Sequence, residues 1–169
     1  MTDTRINPPF SAAERPMLES WLDYHRGTLA FKCDGLSAEQ LRMRAVPPST
    51  LSLLGLVRHM AEVERSWFQR TVADRDAPPI YYTEEDRDGD FDNVDEADPD
   101  GAFATWRREC ETAREILAGV SSLDDLAEKR RPGDLVSVRW ILVHMIEEYA
   151  RHNGHADLLR QRIDGTVGE

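Results

Sequence analysis

Apolar residues recur along this chain at the three-to-four-residue spacing of a buried helix face, in four long stretches. The first runs from about Ala12 to Phe31 and offers Met17, Trp21, Tyr24 and Leu29 to a core. The second, Leu51 to Ala73, carries the cleanest stripe, with Leu53, Leu56, Val57, Met60, Val63, Trp67 and Phe68. The third begins at Asp98-Pro99-Asp100, where proline is tolerated in a first turn, and reaches Ala118 through Phe103, Trp106, Cys110, Ala113 and Ile116. The fourth starts near Ser137 and ends near Ile163, with Gly165 as its stop. Its apolar face holds Val138, Ile141, Met145, Tyr149, Ala156 and Leu159.

The connecting segments are polar. Ser37-Ala-Glu-Gln40 is a capping box for a short helix ending near Arg44. Pro47 and Pro48 break the chain, and Ser49 or Thr50 can cap the second long helix. Residues 74–98 form a long loop rich in Asp, Pro and Gly, and Ser121 to Asp134 form a second connector. Only Ile80-Tyr81-Tyr82 is β-prone. Helices without competing strands predict an all-α four-helix bundle, and the long connectors predict a crossover topology.

Composition narrows the class. The 169 residues fit one domain, and 21 basic against 32 acidic residues leave a net charge of −11. That balance argues against nucleic acid, since the one basic run, Lys129-Arg130-Arg131, is offset by Asp124, Asp125 and Glu128. No apolar run is long enough for a bilayer, and the polar segment Met1 to Pro9 lacks a signal core, so a cytoplasmic chain is expected. Cys33 and Cys110 form no CxxC pair and are expected to be reduced, buried packing residues.

The candidate chemistry is concentrated in the fourth helix. His144, Glu148 and His152 are spaced i, i+4, i+8, and His155 follows three residues on. All four fall within roughly 80° of arc, and Glu148 and His152 lie nearer the apolar side. A carboxylate turned toward a core needs a partner or a metal. His59 flanks the apolar stripe of the second helix, so two ligands from one helix and one from another would make a His2Glu site with an open position. His25 has no partner at helical spacing and is expected to be exposed. Arg58 and Arg160 are candidates for an anionic substrate group, with plain solvation the commoner role. Asp86, Asp88, Asp90 and Asp92 lack the glycine and terminal glutamate of a calcium loop and are expected to be a solvated acidic run.

The segment Val143 to Arg160 followed by Ile163-Asp-Gly165 resembles the last helix of the DinB-like superfamily, and Ser52 to Phe68 resembles its second helix. The likeness covers about Leu18 to Gly165 and is nearest to the short actinobacterial branch. It implies a four-helix bundle with a divalent metal in its core. Many members place one histidine on the second helix and a His-x3-His pair on the fourth; here Glu148 stands at the first position of that pair and His152 at the second. That variant is similar to the metal-binding domain of mycothiol-dependent maleylpyruvate isomerase, whose additional C-terminal domain this sequence does not extend into, so isomerisation is not expected. Related members are mycothiol- or bacillithiol-dependent S-transferases.

The resemblance therefore implies zinc at His59, Glu148 and His152, with nickel or iron as metals the same ligands accept. It also implies mycothiol as thiol cosubstrate, an electrophilic small molecule as acceptor, and a homodimer. On this reading the metal favours the thiolate, and neither cysteine is the nucleophile. His144 and His155 then serve as catalytic residues that orient a ligand or shuttle a proton, and Arg160 binds the cosubstrate. Metal-assisted hydrolysis and a non-catalytic metal- or ligand-binding bundle are the alternatives.

Overall fold

A computed structural model describes residues 3, 5–129 and 133–168. Of the basic run, Arg130 and Arg131 lie outside the described residues. The fold is all-α, with α1 at Glu14–Cys33, α2 at Ala38–Arg42, α3 at Leu53–Glu64, α4 at Gly89–Asp92, α5 at Pro99–Ala118 and α6 at Val138–Asp164. The long helices pair as α1 with α6 and α3 with α5, and contacts between α3 and α6 join the pairs. No helix among the described residues is long and apolar enough to cross a membrane.

Several ends fall where the sequence places them, because a capping side chain or a terminal glycine satisfies their free backbone groups. Ser37 and Gln40 close the capping box of α2. Asp98 accepts from the amides of Asp100 and Gly101 at the start of α5, with Pro99 in the first turn. Ser137 caps α6, which ends at Gly165 in the left-handed region with φ 79°. The cap of α3 differs: it is Ser52, whose hydroxyl accepts from the Gly55 amide at 3.1 Å, and neither Ser49 nor Thr50.

Two further differences concern helix phase. The buried stripe of α1 is Leu22, Arg26, Leu29 and Cys33; Trp21 is 41 % exposed and Met17 half-buried. The second long helix also leaves α geometry after Glu64 and continues as a π-helix over Arg65–Val72. Its wider turns are visible in the bond from the Ala73 amide to the Phe68 carbonyl, 3.1 Å. Phe68 is fully buried there, while Trp67 packs on Trp140 and His144 of α6.

Both connectors are tied down. In the second connector the described residues 121–129 and 133–138 bond to one another, with the Ala127 amide donating to the Val136 carbonyl at 2.8 Å and the Val138 amide to the Asp125 carbonyl at 2.9 Å. The segment 74–98 is laced to α3. Buried Glu62 accepts from the amides of Ile80 and Tyr81 at 2.5 and 2.6 Å. Arg58 donates to the carbonyls of Gly89, at 2.9 Å, and Asn93.

Candidate metal centre

His59 faces α6 from the middle of α3, and Glu148 and His152 sit one turn apart on α6. One ligand-type atom of each lies within 4.8 Å of the other two. Glu148 is the centre of a row. Its Oε2 is 3.5 Å from Nε2 of His152, and its Oε1 is 3.4 Å from Nε2 of His144. The rings of His59 and His152 meet at 4.8 Å, inclined by 63°. His59, Glu148 and His144 each keep about a fifth of their side-chain surface, so the row is open along one side.

The residues fit a divalent cation. Nδ1 of His152 is buried and has no hydrogen-bond partner among the described residues. Burial, with the neighbouring His59, His155 and Arg151, pushes the His152 pKa down from 6.5 to about 4 against the pull of Asp90. A neutral imidazole beside a carboxylate is what a metal of the zinc type coordinates.

The other candidates divide. His144 lies between Glu147 and Glu148, at 3.6 and 3.4 Å, with its ring stacked on Trp140 at 4.9 Å. His155 contacts the His152 ring at 5.4 Å and has its own buried, unpartnered Nδ1. Arg160 is not brought into this row. Its guanidinium donates to the carbonyls of Lys32 and Asp34 and to Asp164, closing the end of α1, so its donors are engaged there. Arg58 is neither solvated nor in the row; it is buried and holds the 89–93 segment. His25 is half-buried, with its carbonyl and Nδ1 facing the Asn153 amide at 3.0 and 3.4 Å. Both cysteines are buried, and burial pushes the Cys33 thiol up to about 12 and Cys110 higher still.

One site residue lies outside the sequence reading. Asp90, expected in a solvated acidic run, is instead buried, and its Oδ2 accepts from Nδ1 of His59 at 2.8 Å. Phe91 lies flat on the same imidazole, with ring centres 4.4 Å apart. Its neighbours Asp86, Asp88 and Asp92 are exposed as expected. The faint signal was Gly89, which interrupts the acidic run at the point of closest packing.

The family model described as mycothiol-S-transferase matches residues 17–165. Among curated proteins none matches the chain.

Proposed function

Because the chain belongs to the mycothiol-S-transferase family, we propose that it joins mycothiol, through its sulfur, to an electrophilic carbon at a divalent-metal centre held by His59, Glu148 and His152. The convergence of these three side chains from two helices, within 4.8 Å, carries the reading. Two imidazoles and one carboxylate suit zinc, and nickel or iron(II) accept the same donors. A cation bound there supplies the positive charge that favours a thiolate over a thiol.

The chain's own residues do the rest. His152 stays neutral at physiological pH and so offers a lone pair. His155 packs edge-on against that ring and restricts its rotation. His144 stands 3.4 Å from Glu148 and partly in solvent, where its ring nitrogen takes the thiol proton and passes it to water. The sulfur then forms its bond to carbon as the bond to the leaving group breaks, and the leaving group departs with that electron pair. The proposal includes a cytoplasmic setting and a homodimer, the latter open to light scattering.

The direct test incubates the zinc-loaded protein with a fluorogenic haloalkyl electrophile, with and without mycothiol. Product that requires both mycothiol and an intact His152 is expected. Electrophile consumed equally without thiol points to hydrolysis, and inert protein that retains metal points to a binding bundle.

A further inference from the structure

His59 does not hold its own orientation. It sits on a helix face between solvent and α6, and a free imidazole in water favours the proton on Nε2. A histidine whose Nε2 is protonated cannot use that nitrogen as a ligand. Something must place the proton on the other side of the ring.

Asp90 is the group in position to do so. It comes from a segment 31 residues away in sequence, and its Oδ2 lies 2.8 Å from Nδ1 of His59. Its other oxygen takes the Phe91 amide at 3.0 Å, which fixes the carboxylate plane. A carboxylate oxygen accepts, so Nδ1 is the donor, and in the neutral imidazole the lone pair then lies on Nε2. Phe91, stacked at 26° on the imidazole, restricts rotation of the ring.

Asp90 in turn is held by Arg58, the residue before His59. The guanidinium spans α4, donating to the carbonyls of Gly89 and Asn93 that bracket it, and it lies 4.5 Å over the Tyr81 ring. The packing at α4 leaves no slack. A Cβ on Gly89 would meet the Tyr81 carbonyl oxygen at 2.6 Å, and a Cβ on Gly55 would meet Phe91 at 3.4 Å. A single dipeptide of α3, Arg58-His59, thus carries both the clamp and the ring that the clamped segment orients.

We infer that Asp90, clamped by Arg58, is a positioning residue that keeps His59 protonated on Nδ1 and presents Nε2 to a divalent cation. The inference rests on the metal-centre reading for its consequence but not for its first test. Long-range nitrogen–proton NMR of the metal-free protein reads the tautomer directly. His59 is expected as the Nδ1–H form in the parent and is expected to revert toward Nε2–H in Asp90→Ala. Zinc affinity, read by chelator competition, is expected to fall about tenfold to a hundredfold in Asp90→Ala, with helicity unchanged. Asp90→Asn, isosteric and uncharged, is expected to lose less, and it carries the test if the alanine variant does not fold. Arg58→Met is expected to shift tautomer and affinity in the same direction as Asp90→Ala.

An Nε2–H tautomer in the parent overturns the inference. So does unchanged zinc affinity in Asp90→Ala, or in Asp90→Asn should that variant stand alone. Unchanged tautomer and affinity in Arg58→Met overturn the clamp. A parent that takes up no zinc overturns the metal-centre reading, and the tautomer of His59 still decides the role of Asp90.

Discussion

The hydroxyl of Tyr149 on α6 donates to Oε1 of Glu64 on α3 at 2.7 Å, and neither side chain has exposed surface. Arg26 of α1 meets the same carboxylate through two nitrogens, at 2.8 and 2.7 Å, and Trp106 of α5 donates to the Tyr149 hydroxyl at 2.9 Å. One buried network therefore ties together all four long helices, through the residue that follows Glu148. Removing one partner of a buried ion pair leaves the other charge uncompensated. Glu64→Ala is expected to destabilise the fold by about 3–5 kcal/mol. Tyr149→Phe removes only the shared hydroxyl and is expected to cost about 1–3 kcal/mol. Urea unfolding of both variants checks the order, and equal, small losses would show that the network contributes little.

Neither cysteine is available to the chemistry. Cys33 is buried with its thiol pushed up to about 12, and Cys110, also raised by burial, packs beside Glu64 and Tyr149. The thiolate is the reactive form, so both should be inert in the native state. A chromogenic disulfide reagent at pH 8 is expected to label neither cysteine in folded protein and both after denaturation. Rapid labelling of the native chain would contradict the burial argument. Cys33→Ala is likewise expected to leave thiol transfer intact.

What could be read from the sequence follows from what acts locally. The caps at Ser37, Asp98, Ser137 and Gly165 lie within a few residues of the groups they satisfy, so their patterns are visible in the chain. Glu148 and His152 share one helix face, and His59 flanks the apolar stripe of its own helix. Asp90 was hidden because its partner lies 31 residues away and its neighbours are acids that do face water. Arg26, Glu62 and Glu64 were hidden for a related reason: periodicity counts charged residues as surface, yet here they are buried against one another or against backbone amides. The phase of α1 differs from its apolar pattern at Trp21, a large ring that lies against Tyr24 and His25 at the rim and not in the core. The π-turns after Glu64 leave no mark in a pattern read at helical period.

The ring contacts of His152 are with His59, Phe91 and His155 at the edge of the core, and the large fully buried side chains lie elsewhere on the helices. His152→Ala is accordingly expected to abolish metal binding while the helical signal is retained. Elemental analysis beside circular dichroism separates the two effects. Undiminished metal content in the variant would remove His152 from the centre.

The last prediction concerns acid. In the metal-free protein His152 has its pKa pushed from 6.5 to about 4, by burial first and then by His59, His155 and Arg151. Burial also lowers His25 from 6.5. An unfolded chain takes up these protons as pH falls through 6.5, whereas the folded chain resists. Between 6.5 and about 4 the unfolded state therefore binds more protons, and stability rises with pH. The contribution from His152 is fully present above 6.5, declines as pH drops toward about 4, and flattens below that value. Carboxylates act later on the way down. Asp23, whose partial burial is outweighed by Arg114 and Arg26, is held below its ordinary 3.8. Urea midpoints of chelator-treated protein measured from pH 7 to pH 4 should fall steadily, and His152→Gln, which has no proton to gain there, should reduce that slope. An identical slope in parent and variant would mean that His152 is not the group being titrated.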